Sequence, residues 1–152
     1  MNYSEQTHPI FAAAILDSYR ESLDCPGLNG IRNIEDIIAG HKASGEFDPN
    51  HWYVLLEREP SGLARKPRGV LLLTRLARGQ AAELVYLGLS AAVRGRGLGD
   101  WLMRRALLTT SEMGVARLSL AVDSTNAPAL KLYYRFGMSR LASKVAMMRK
   151  LA

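Results

Sequence analysis

The chain has 152 residues, 48% of them hydrophobic and 22% charged, with a formal net charge of +6. This length supports one well-buried core and is short for two. No apolar run approaches the roughly 20 residues of a membrane span, and the N-terminal MNYSEQTHPIF lacks the basic-then-apolar layout of a secretory signal.

Cys25 is the only cysteine, so an internal disulfide is excluded, and a reducing cytoplasm is the expected setting. His8, His41 and His51 are scattered without metal-ligand spacing, and no metal site is expected. The positive charge admits a polyanionic partner: nucleic acid, a membrane surface or a small molecule. Arg58, Arg65, Lys66 and Arg68 flank a hairpin turn and are expected to be solvated. Arg94, Arg96, Arg104 and Arg105 gather around a glycine loop.

Taken in chain order, Thr7 and Pro9 open a helix, with proline in the first turn where its missing N–H costs nothing. Ile10, Phe11, Ala14 and Ile15 carry that helix toward Ser22. Asn33 caps a second helix, with Ile34, Ile37, Ile38 and His41 on one face. ASGEFDPN is a loop. HWYVLLERE and RGVLLLTRLA, separated by PSGLARKP, form an antiparallel hairpin. Ala82 to Ser90 is a third strand, and Gly88 within it marks a bulge or a close approach of another backbone. A helix follows from Leu102, Met103, Ala106 and Leu107 and ends at Gly114. ARLSLAVD is a strand, Asn126 and Pro128 start a helix that Gly137 closes, and VAMMRKL is a last strand. The pattern is a mixed α/β single domain over residues 1–152.

Between the third strand and its helix lies VRGRGLG, Val93 to Gly99. Three glycines forfeit helix propensity, and two arginines oppose the positive end of the helix dipole. Both costs make sense if the loop presents unpaired amides to an anion. It is not a Walker loop, since GLGDW lacks Gly-Lys-Ser/Thr, and its G-x-G-x-G spacing is not the dinucleotide G-x-G-x-x-G.

Arg94-Gly95-Arg96-Gly97-Leu98-Gly99 resembles the R/Q-x-x-G-x-G/A signature of the GNAT family of acyl-CoA-dependent N-acetyltransferases. A second block agrees: NAPALKLYYRFGM resembles N-x-x-A-x-x-L-Y-x-x-x-G-F/M through Asn126, Ala129, Leu132, Tyr133, Gly137 and Met138. Ala91 stands where the family often has proline. The resemblance implies an α+β fold with a mostly antiparallel central sheet, splayed fourth and fifth strands and helices on both faces. Only eight residues precede Pro9, so the family's first strand is expected to be missing, or the chain to be a fragment or one half of a tandem protein.

The same resemblance implies acetyl-CoA as cofactor and a primary amine, small-molecule or peptide, as acceptor. The amides of Gly95, Arg96, Gly97, Leu98 and Gly99 would hold the pyrophosphate, with charge from Arg94 and Arg96. Arg104 or Arg105 would reach the ribose phosphate, although a solvated helix face is the favoured alternative. Leu87, Gly88, Leu89 and Ser90 are candidates for backbone contact with the pantetheine arm, and the Leu89 N–H for polarising the acyl carbonyl. Glu83 is a candidate general base or, equally, an edge carboxylate. Tyr133 would protonate the leaving thiolate while Tyr134 faces elsewhere; helix packing is the alternative for both. Asn126 would bond the cofactor arm or simply cap its helix.

Acceptor choice is expected to rest on SLDCPGLNGIRN, with Asp24 and Asn29, and on Asp123. A non-catalytic acyl-CoA-binding module is the competing function. A nucleic-acid-binding domain ranks third, no such motif being present, and a homodimer or tandem partner is compatible with the family.

Overall fold

The computed structural model describes residues 1–28, 30–58, 62, 65–77, 80–145, 147 and 149. The elements are α1 (His8–Tyr19), α2 (Ile34–Lys42), β1 (Trp52–Arg58), β2 (Arg65–Arg75), β3 (Ala81–Leu89), α3 (Leu98–Glu112), β4 (Arg117–Leu120) and α4 (Ala127–Arg135). The strands form one sheet in the order β1-β2-β3-β4. The first two pairings are antiparallel and the last is parallel.

Two apolar layers sandwich this sheet. Phe11, Ile15 and Ile38 from α1 and α2 pack with Trp52, Leu72 and Tyr86 on one face. Leu102, Met103 and Ala106 of α3 and Tyr133 of α4 pack with Leu71, Leu73 and Leu84 on the other. The helix starts follow the sequence: Pro9 lies in the first turn of α1, and the Asn33 and Asn126 side chains accept from the amides of Asp36 and Ala129. In place of a first strand there is a single bridge, Asn2 to Tyr53, backed by the Val54 N–H donating to the Met1 carbonyl.

Four expectations require correction. β2 begins at Arg65, inside the expected turn, because a bulge between Leu55 and Leu56 leaves Arg68 unpaired beside Pro67; a residue without an N–H is tolerated there. Arg68 is not a solvated loop cation, since its Nε lies 2.7 Å from Glu57. The bulge expected at Gly88 falls at Val85, the residue skipped when Leu72 pairs with Tyr86 and Leu73 with Leu84. What comes close to Gly88 is a side chain and not the other backbone expected: a Cβ there would sit 2.5 Å from Ser18 Oγ of α1. Finally, the described residues from Ser139 to Val145, with Met147 and Arg149, form no strand; Val145 and Met147 are exposed, and the rest of VAMMRKL lies outside the described residues.

His41 of α2 stacks on the Tyr86 ring at 5.6 Å, and its Nε2 is buried without a partner. Burial, aided by the Arg32 charge, pushes its pKa from the ordinary 6.5 down to about 4. Between those values the unfolded chain binds a proton that the folded chain refuses. Stability is therefore complete above the unfolded value and falls as pH drops through this window toward the folded value. The loss is expected to reach at most about 3 kcal/mol, read as a falling urea midpoint between neutral pH and pH 4. His41→Phe should flatten that dependence, and an unaltered profile in the variant would assign it to other groups.

Candidate functional site

The parallel pairing of β3 with β4 stops at Leu84 and Leu120. The Val85 bulge falls at this point, and bulges bend the strand that carries them. Beyond it the two chain segments diverge around a crevice of about 610 Å³, with Tyr86 to Leu89 on one bank and Ala121 and Val122 on the other. Ser18 and Glu21 to Asp24 wall one end, the glycine loop opens onto it, and Asn126, Leu132 and Tyr133 come from α4.

Hydrogen-bond alternation decides what β3 offers to this space. The Ser90 N–H donates to the Arg68 carbonyl of β2. In an antiparallel ladder this turns Gly88 toward β2 as well, and leaves the amides of Leu87 and Leu89 and the Leu87 carbonyl on the open edge, while the Leu89 carbonyl accepts from Arg94 Nε. Leu87 and Leu89 are therefore placed to pair with an extended ligand. Gly88 contributes its missing side chain.

The glycine loop leaves its amides open. Gly95 and Gly97 have φ of 75° and 77°, a region glycine enters without steric cost. None of the N–H groups of Gly95, Arg96, Gly97, Leu98 and Gly99 donates to a backbone or side-chain acceptor among the described residues. Side chains added at Gly95 or Gly97 would meet nothing within 4 Å, so the space above the amides is open. A Cβ at Gly99 would meet Leu132 at 3.2 Å, which ties that glycine to the packing of α3 on α4. Five free amides at a helix N-terminus suit a diphosphate.

The arginines separate. Arg96 is mostly exposed, with Nη1 3.9 Å from Glu57. Arg94 turns its guanidinium to the carbonyls of Leu89, Ser18, Arg20 and Glu21. Arg105 lies over the Tyr53 ring at 4.7 Å and donates to its hydroxyl. Arg104 lies over Phe136.

Tyr133 is buried within the α3–α4 layer and lines the crevice, and its hydroxyl bonds to no described residue. Burial, with the Asp24 charge adding to it, pushes this phenol up to about 12. It stays protonated at any ordinary pH. Tyr134 is exposed on the far side of α4. Asn126 caps α4 while also lining the crevice.

Glu83 does not line the crevice; it sits in register with Thr74 and Ser119. Asp24 does line it, and burial, together with the neighbouring Asp123 charge, raises its carboxyl. Asp123 accepts from the amides of Cys25 and Thr125, and the Thr125 hydrogen bonds hold its carboxyl low. Asn29 lies outside the described residues. Pattern alone missed Ser18, whose Oγ bonds the Tyr86 hydroxyl at 2.9 Å beneath the crevice. Its one signal is a small residue four places after Ala14, at the helix position facing Gly88.

The acetyltransferase (GNAT) family model matches residues 15–138. The chain belongs to the GNAT acetyltransferase family. Mycothiol acetyltransferase of Jonesia denitrificans is 30% identical over 99 residues, 65% of this chain and 31% of that protein; the match thus spans under a third of that relative's length. The ribosomal-protein-S18-alanine N-acetyltransferase from Escherichia coli shares the fold at TM-score 0.62 and 19% identity, over 93% of this chain and 79% of that one. A Bacillus subtilis acetyltransferase in complex with CoA gives 0.61 at 18% identity, over 90% and 73%. In this GNAT domain β3 and β4 take the place of the family's splayed fourth and fifth strands.

Among the described residues of this GNAT protein no helix is long and apolar enough to cross a membrane, and no group of three metal-ligating side chains forms.

Proposed function

We propose that this chain, as one GNAT domain over residues 1–152, moves an acetyl group from acetyl-CoA to a primary amine in the cytoplasm. The observation that carries the proposal is one crevice joining two unsatisfied features. Among the described residues nothing accepts from the amides of Gly95 to Gly99, which open onto it, or bonds to the Tyr133 phenol on its wall.

In this reading the five amides hold the pyrophosphate and Arg96 adds charge, while Leu87 and Leu89 pair with the pantetheine arm. Acetyl-CoA supplies the activated thioester. The Leu89 N–H polarises the acyl carbonyl, and Tyr133 holds a proton for the departing sulfur. Overall a C–N bond replaces a C–S bond; the ammonium nitrogen gives up two protons on becoming an amide, one of which is made good on the departing thiolate while the other leaves to water. Glu83 stands outside the crevice and takes the acceptor's proton only through water, whereas Asp24 stands on the wall itself. The relatives' names mark one small-molecule and one protein acceptor, and both classes fit a crevice of this size.

Thermal-shift titration tests the cofactor. At a hundredfold excess over Kd, a specific ligand adds about 2.7 kcal/mol, a rise of about 5–10 °C for a chain of this length. Acetyl-CoA and CoA should produce it and a short DNA duplex should not. Thiol release is then followed with glycinamide, spermidine, a lysine peptide and a peptide with a free N-terminus. CoA binding without release by any amine would leave a non-catalytic binding module, and stabilisation by duplex alone would overturn the reading.

A further inference from the structure

The arginine that opens the glycine signature makes contacts that phosphate binding does not explain. Its Nε donates to the Leu89 carbonyl at 3.1 Å, and Nη1 donates to the Glu21 carbonyl at 2.9 Å. Nη2 donates to the carbonyls of Ser18 at 3.0 Å and Arg20 at 2.8 Å. A guanidinium has five N–H donors; four of Arg94's are occupied, so no two remain for a bidentate phosphate contact.

The acceptors have a common origin. Ser18, Arg20 and Glu21 lie at the C-terminal end of α1, where a helix leaves its last carbonyls unpaired and its dipole negative. Arg94 caps that end from far along the chain and binds it to the last residue of β3. The helix tail leads directly into the segment that walls the crevice, Glu21 to Asp24. This segment is pinned again at its far end, where the Cys25 N–H donates to Asp123 Oδ2 at 3.2 Å. Asp123 is itself fixed by the amide and hydroxyl of Thr125. The loop therefore hangs between the segment that follows β3 and the segment that follows β4, and so spans the gap where those strands part. Glu21 and Cys25 take φ of 54° and 43°, left-handed backbone that residues other than glycine adopt when their surroundings hold them there.

We propose that Arg94 is a positioning residue of the acceptor site: it holds the Arg20–Cys25 loop across the crevice, with Asp24 facing Tyr133, and does not bind a cofactor phosphate. The acceptor part rests on the transferase reading; the clamp does not. Lysine cannot replace it, because one ammonium with three donors cannot span four separated carbonyls.

The test uses the full chain carrying Arg94→Lys or Arg94→Met, each checked for folding by circular dichroism. Three quantities are measured: amide exchange over residues 22–25, CoA affinity by calorimetry, and steady-state thiol release with glycinamide. In Arg94→Met, exchange should rise by about tenfold or more while CoA Kd stays within about threefold. The KM for glycinamide should rise by about tenfold with kcat within about threefold, and Arg94→Lys should recover only part of the loss.

A CoA affinity about tenfold weaker with unchanged exchange would make Arg94 a phosphate ligand and overturn the proposal. Unchanged KM with a lower kcat would overturn it as well. Absence of wild-type turnover would count against the transferase reading alone, since exchange and calorimetry still decide the clamp. Should Arg94→Met not fold, Arg94→Gln gives the same readouts.

Discussion

Tyr133→Phe is expected to slow thiol release by at least about tenfold, toward the 10²–10⁴ range of general acid catalysis, while CoA affinity changes by less than about twofold. The substitution removes one oxygen and leaves the ring in the α3–α4 layer, where it packs with Leu84 and Met103. No described residue bonds to that oxygen, so its loss strands no partner and stability should hold. Burial and the Asp24 charge raise this phenol to about 12, which keeps the proton present at neutral pH and at the same time makes it a weaker acid. A thiolate whose conjugate acid lies near 8 or 9 is a weaker base than the phenolate, so the transfer is uphill by itself and the phenolate must regain the proton that the acceptor nitrogen releases. Thiol release read with a chromogenic reagent, beside calorimetry with CoA, checks both halves. Turnover equal to wild type would remove the phenol from the mechanism.

Gly97→Asp is expected to weaken CoA binding by about a hundredfold or more, through two additive effects. Gly97 has φ of 77° and is the residue before α3, a left-handed position that costs another residue about 1–2 kcal/mol; this lowers affinity to the extent that the unliganded loop relaxes out of that conformation and binding has to restore it. The carboxylate also enters the space above the free amides, where a diphosphate would meet like charge. Because a Cβ at this position touches nothing within 4 Å, the fold should survive. Gly97→Ala separates the effects, since it keeps the backbone cost without the charge and should fall between the two in calorimetry. Unaltered affinity in the aspartate variant would place the phosphates elsewhere.

The elements that the sequence makes legible are those set by local rules. Asn33 and Asn126 announce α2 and α4 because a cap is decided within four residues. The hairpin strands and α3 follow from apolar period, and the glycine loop from its spacing before a helix. What escaped depends on partners distant in the chain. α1 ends at Tyr19 and not near Ser22, and its exposed carbonyls are met by Arg94, which no local pattern reveals. By charge alone Arg94 belongs with Arg96 at the phosphate. The bulge sits at Val85, whereas Gly88 makes room for Ser18 of α1, and both uses of a glycine look alike in one dimension. The expected last strand fails among the described residues, since alternation predicts a willing strand but not a partner. Glu83 and Asp24 exchange apparent importance for a similar reason: strand position suggested the first, and the splay exposes the second.

The two ends of the crevice belong to different layers. Donor-side amides and the phenol come from α3, α4 and the loop before them, whereas the opposite end comes from the tail of α1. On the proposed reading, an engineer could exchange residues 22–24 to recruit a new recipient molecule while leaving the thioester-handling half untouched, because the carbonyls that Arg94 reaches, at Ser18, Arg20, Glu21 and Leu89, all lie outside the exchanged stretch. Recipient choice is thus, on that reading, a replaceable cassette held by two latches, Arg94 at one end and Asp123 at the other.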